Sequence, residues 1–109
     1  MAEHVVVVTT VIDSRELADR IAADLVAARV AACVQVSGPL TSTYWWQGQV
    51  ESAQEWSVAA KAPAAAAERL VEAIRAAHTY DVPEILVTPV LGGHEPYLAW
   101  VAAETAPQS

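Results

Sequence analysis

Between Ala32 and Lys61 the chain reads as extended structure on either side of a single turn signal, Gln47-Gly48. Ala32 to Val36 is an apolar run, Gly38-Pro39 interrupts it as a bend or bulge, and Leu40 to Trp46 resumes it. Val50 to Lys61 returns as the partner, with Trp56, Val58 and Ala60 alternating against Glu55, Ser57 and Ala59. Glycine at the turn tolerates the positive φ that tight hairpins require. Both strands run well past the roughly five to six residues of an ordinary strand, so the pair makes an arm whose tip a small domain does not cover.

The segments on either side of this arm mirror each other. His4 to Thr10 is a β-branched run that suits a strand buried on both faces. A helix follows from Ser14, with Leu17, Ile21, Leu25 and Ala28 on one stripe, Asp13 and Glu16 as a capping arrangement, and Glu16 facing Arg20 at i, i+4. After the arm, Pro63 suits the first position of a second helix, whose apolar stripe is Ala67, Leu70, Val71, Ile74 and Ala77. Val82 to Val90 reads as the fourth strand, with Pro83 and Pro89 near its ends, and Glu95 to Glu104 as a short terminal helix with Tyr97, Leu98 and Val101 inward. The order β-α-β-β-α-β is the ferredoxin-like α+β arrangement, a single domain over residues 1–109 with two helices on one face of a four-stranded antiparallel sheet. The other face is left bare and predicts an oligomer surface.

Composition narrows the partners. Hydrophobic residues make up 54% and charged residues only 17% of 109, a surplus of apolar surface that points to burial against other subunits. The net charge is −7, and the six basic residues form no stripe that could follow a phosphate backbone, so nucleic acid and anionic membranes are excluded as partners. Cys33 is the single cysteine, which rules out an intrachain disulfide and a paired-cysteine metal motif. Val5 to Val8 is too short for a signal-peptide core and no stretch approaches a membrane span, so the expected setting is the cytoplasm.

Two motifs stand out from the plain Ala and Val background: Ser42-Thr-Tyr-Trp-Trp-Gln-Gly-Gln-Val-Glu51 and His78-Thr-Tyr-Asp-Val-Pro-Glu-Ile85. With Thr10, Ala32-Cys33, Glu55, Lys61, Tyr97 and Trp100 in order around them, the chain resembles the CutA1 family, the divalent-cation tolerance proteins, nearly end to end. The resemblance implies a homotrimer whose long hairpins extend onto neighbouring sheets, and an architecture similar to the PII signalling proteins, which bind effectors in clefts between subunits. In metal-binding members it implies a site joining the histidine at position 78 to a preceding histidine and to a cysteine at the end of the first strand; here those positions are Ala77 and Thr9. Trp46 replaces a small or polar residue and Gln35 the usual Asn.

Taken as chemistry, His78 offers an imidazole to a borderline cation beside Tyr80 and Glu84, or else it ends the second helix as a C-terminal capping residue. Glu84 in an apolar strand needs a partner, for which Lys61, the only lysine, is available; alternatively it is a metal ligand. Tyr44, Trp45, Lys61, Tyr80 and Trp100 are the candidates to line an intersubunit or effector cleft, with Trp46 and Trp56 nearby, or to be the core of a subunit contact. Cys33 reads as a small core residue, His4 and His94 as solvated, and His94-Glu95 as at most a weak cation site. Gly92-Gly93 has Glu95 beside it, against phosphate. No serine, cysteine or carboxylate arrangement supports catalysis.

The expectation is a non-enzymatic homotrimer that responds to divalent metal, Cu(II) foremost and weakly bound, through His78 and Glu84, with no obligatory cofactor. The alternatives are a PII-like sensor of a small anionic effector and a purely structural or partner-binding trimer.

Overall fold

A computed structural model describes residues 4–105. Strand β1 (Val5–Ile12) leads to helix α1 (Arg15–Ala27), the long strands β2 (Cys33–Trp46) and β3 (Gln49–Pro63), a 3-10 turn (Ala64–Ala66), helix α2 (Ala67–Ala77), strand β4 (Ile85–Val90) and helix α3 (Glu95–Thr105). The four strands form one antiparallel sheet in the order β2-β3-β1-β4. This is the ferredoxin-like order, with the α+β class expected from the periodicities.

Alternation in the strands decides which side chains meet the helices. Val6, Val8 and Ile12 of β1 and Val58, Ala60 and Ala62 of β3 pack with Ala18, Ile21 and Leu25 of α1 and Leu70 and Ile74 of α2 in one buried core. The opposite sheet face is covered in part by α3, where Leu98 and Val101 bury Val5. Arg29 Nη1 donates to the Glu104 carbonyl at 2.9 Å and lies 3.6 Å from its carboxylate, tying the end of α3 back to the α1–β2 loop. Elsewhere that face is open, with Leu86 at 55% exposure.

The arm dominates the shape. Strands of 14 and 15 residues at about 3.3 Å per residue account for a long axis of 47 Å on a body only 27 × 21 Å in cross-section. Gln47 (φ 50) and Gly48 (φ 78) make the tight turn, the left-handed pair that a right-twisted two-residue hairpin needs. The ladder shifts register between Ser37 and Leu40, so the Gly38-Pro39 interruption is a bulge inside one continuous strand.

Several local expectations are corrected. The N-cap of α1 is Ser14, not Asp13: its hydroxyl accepts the Leu17 N–H at 3.1 Å, because Ser14 is extended (φ −130) and Arg15 is the first helical residue. The i, i+4 pair on α1 is Arg15 with Asp19 at 3.4 Å rather than Glu16 with Arg20. Pro63 closes β3 and caps the 3-10 turn, and α2 begins only at Ala67, since the last β1–β3 partners are Val5 and Pro63. Strand β4 starts at Ile85, the first residue that can pair with β1, through Thr10. Tyr97 is 39% exposed, because Leu98 and Val101 already fill the inward stripe of α3.

Candidate functional site

The segment between α2 and β4 crosses the end of β1 at the root of the arm, and three bonds pin it there. Thr10, fully buried, donates its hydroxyl to the Glu84 carbonyl at 2.7 Å. The Tyr80 N–H donates to His78 Nδ1 at 3.1 Å, which leaves the imidazole proton on Nε2, 2.9 Å from the Val11 carbonyl that accepts it. The Tyr80 hydroxyl reaches across to β3 and donates to Glu55 Oε2 at 2.7 Å. His78 and Tyr80 rings meet edge-on with centroids 4.6 Å apart.

These contacts frame a concavity of about 750 Å³ lined by Val11, Ser42, Thr43, Tyr44 and Trp46 of β1 and the arm, Glu51 and Glu55 of β3, and Tyr80, Asp81, Val82 and Glu84 of the crossing segment. Four carboxylates line it and no lysine, arginine or histidine does. Glu55 is the deepest of the four, only 6% exposed. Burial holds the Tyr80 phenol well above the ordinary tyrosine range, and the Glu55 bond and charge, with Asp13 and Tyr44, push the same way. The Tyr97 phenol on α3 is also raised, by burial first and then by Cys33.

A phenol held protonated in the fold binds its proton more tightly than in the unfolded chain. Its contribution to stability is therefore intact below the ordinary value of 10.0 and is lost as pH rises through the higher folded value. In an ultraviolet tyrosinate titration of the three tyrosines, the latest component is expected to disappear in Tyr80→Phe. An unchanged late component in that variant would remove the Tyr80–Glu55 bond from the account.

His78, expected as a metal ligand, has protein partners on both ring nitrogens. Its two ring nitrogens are spent on the Tyr80 N–H and the Val11 carbonyl, so it ends α2 as the C-cap residue and anchors the crossing segment. Glu84 is exposed and precedes β4 rather than lying inside it, and its carboxylate needs no buried partner. Lys61 donates to Gln35 across the β2–β3 ladder instead of to Glu84. Among the described residues no three His, Cys, Asp or Glu side chains are grouped so as to hold a metal ion. With Thr9 and Ala77 at the other two positions, the residues do not fit the copper trio that the resemblance implies.

Of the cleft candidates, Tyr44 and Tyr80 line the concavity. Trp45 does not and stands 74% exposed at the tip of the arm; Lys61 sits farther down the ladder; Trp100 stacks on Tyr97 at 5.7 Å on α3. Trp46, expected near the cleft, lines it, and Glu51, Glu55 and Asp81 belong to the site though the sequence did not single them out for it. The available signal for Glu55 was an acid directly before Trp56, where the strand passes from Glu51 and Gln54 into the apolar run Val58-Ala59-Ala60.

Comparison with known proteins agrees with fold and motifs. The CutA1 divalent ion tolerance protein family matches residues 5–104. The divalent-cation tolerance protein CutA of Thermus thermophilus is 42% identical over 103 residues, covering 94% of this chain and 98% of that protein. The chloroplastic protein CutA 1 of rice is 33% identical over 92% of this chain, which spans only 56% of that longer protein. A solved structure of the divalent cation tolerance protein from Thermus thermophilus superposes with a TM-score of 0.90 at 40% identity, covering 94% of this chain and 99% of that one. With the family model matching nearly its whole length and the arm and ferredoxin-like sheet in place, the chain belongs to the CutA1 divalent ion tolerance protein family.

Proposed function

We propose that this chain is a non-enzymatic divalent-cation tolerance protein that works as a homotrimer, and that its cation-responsive element is the carboxylate-lined cleft that runs along the arm from its root rather than His78. The observation that carries this reading is the lining itself: Glu51, Glu55, Asp81 and Glu84 share one concavity with no basic side chain among them. Such a cleft concentrates cations and repels anions. Oxygen donors favour hard or borderline divalent ions, and Cu(II) belongs to this reading as a weakly held ion at carboxylates. A PII-like anionic effector would find no counter-charge in this lining, and no observation favours it.

Assembly is supported by apolar surface that one chain leaves in water. Trp45 is 74%, Trp46 56% and Val50 59% exposed at the tip of the arm, and Leu86 is 55% exposed on the open sheet face. Large exposed aromatics of this kind are characteristic of interfaces. Sedimentation is expected to give the mass of three 11.6 kDa chains.

Calorimetric titration of chelator-stripped protein with Cu(II), Zn(II) and Mg(II), at matched oligomeric mass, tests the assignment. Binding is expected to survive His78→Ala and to weaken at least about tenfold, or 1.4 kcal/mol, when Glu51 and Asp81 are both changed to their amides. Binding lost in His78→Ala and kept in the double amide variant would return the site to His78.

A further inference from the structure

The residues Thr79 to Pro83 carry the chain from the end of α2 across β1 with little to hold them. Among the described residues no backbone–backbone hydrogen bond starts or ends on them. At one end the His78 N–H returns to the Arg75 carbonyl at 3.3 Å, and at the other Thr10 fixes the Glu84 carbonyl. Between these ends both holding points are on Tyr80: its N–H on His78 Nδ1 and its hydroxyl on Glu55. So few bonds put a segment at the low-stability end of a fold.

The first of the two holding points depends on a single proton. A backbone N–H donates and never accepts, so the Tyr80 bond exists only while His78 Nδ1 keeps its lone pair, with the one ring proton on Nε2 toward Val11. A second proton has only Nδ1 to occupy, and there two donors would face each other across 3.1 Å. Histidine is the side chain that gains such a proton near neutral pH. The charged groups on this side are Asp81 and Glu84 on the segment itself, Glu55 of β3 through the Tyr80 phenol, and Asp13 beyond β1, which acts on the same phenol. Arg75 in the last turn of α2 is paired with Glu72. Acids therefore outnumber the one engaged cation, and a charged imidazole finds counter-charge once it turns from the Tyr80 amide.

We infer that His78 is a proton-operated catch. Neutral, it holds the Thr79 to Pro83 strap against β1; protonated, it releases the Tyr80 amide and loosens the Tyr80–Glu55 bond, while Thr10 keeps the far end in place. The cleft wall that carries Asp81 then moves with pH. The catch goes beyond the cation reading of the cleft and holds whether or not a divalent ion binds there, because only a ring, an amide and a carbonyl take part.

Hydrogen exchange of the Tyr80 amide, corrected for its intrinsic pH dependence, is measured on the assembled protein at about pH 8 and about pH 5.5. Protection is expected to fall at least about fivefold at the lower pH. The Leu17 amide, accepted by the Ser14 hydroxyl, which does not titrate, should keep its protection. His78→Asn offers a carbonyl oxygen to the N–H two residues on, as in an Asx turn, and should make Tyr80 protection the same at both pH values. Nitrogen NMR of the imidazoles should show His78 as the Nε2–H tautomer at the higher pH, gaining its second proton as Tyr80 protection falls. If His78→Asn does not fold, those spectra decide: coincident midpoints uphold the catch and separate ones overturn it. Unchanged Tyr80 protection in the wild type, an Nδ1–H tautomer, or an equal fall in His78→Asn overturns it as well. Sedimentation at both pH values separates release from dissociation: assembled mass lost in step with protection, in wild type and His78→Asn alike, overturns the catch.

Discussion

Gly38→Ala is expected to cost about 2–4 kcal/mol, because strained backbone and overpacking act at the same atom. Gly38 has φ +141, a conformation that residues with a side chain rarely adopt. A Cβ placed there would lie 2.8 Å from Trp56 Cδ1 and 3.1 Å from the Glu55 carbonyl oxygen. Trp56 packs against the core and the Glu55 carbonyl is part of β3, so relief requires the ladder itself to move. The bulge at Ser37/Leu40 sets the direction of the arm, and its displacement would also carry Glu55 away from Tyr80. Denaturant unfolding at a fixed protein concentration measures the loss. A change below about 0.5 kcal/mol, the level of an ordinary surface substitution, would mean the close approach is not tight.

Ile74→Ala is expected to lose about 2–5 kcal/mol and to lower the melting temperature by roughly 8 °C or more. Ile74 is fully buried in the last turn of α2, in the same core as Leu70, Val8 and Val58. Truncation leaves a cavity that the facing β-branched side chains cannot collapse into, since their rotamers are set by the sheet. His78 follows this turn directly, so loosening α2 also loosens the bonds from His78 to Val11 and from Tyr80 to Glu55. Near-ultraviolet dichroism of the tyrosines should fall in native buffer, whereas Glu68→Gln on the same helix should change neither signal. Unaltered stability in Ile74→Ala would contradict the helix-on-sheet core.

The fold was legible where periodicity and turn chemistry agree. Period-two alternation in Trp56, Val58 and Ala60, the Gln47-Gly48 turn and the stripe Leu70, Val71 and Ile74 each have one economical solution, and their order admits few topologies. Element ends were less legible, because they depend on which backbone groups find partners across the sheet. Pro63 belongs to β3 only because Val5 pairs with it, and Glu84 falls outside β4 only because pairing with β1 begins at Ile85.

The candidate site divides along the same line. Both motifs that line it, from Ser42 to Glu51 and from His78 to Glu84, were conspicuous as residue types in the wrong setting for bulk core. What each residue does there was not written in its neighbours. His78 has the composition of a ligand, yet the crossing of the 78–84 segment over β1 brings a carbonyl to one ring nitrogen and an amide to the other, and both lone pair and proton are consumed. Glu84 looked buried in an apolar stretch and is exposed, while Glu55, in a strand with a polar face, is the carboxylate that the fold closes over. Local pattern thus carried the elements, their order and the two motifs, because hydrophobic periodicity and turn residues act within a few positions along the chain. Only the tertiary structure assigned roles within the site, because hydrogen bonds from Tyr80 to Glu55 and from His78 to Val11 join residues 25 and 67 positions apart, and burial is decided by that meeting.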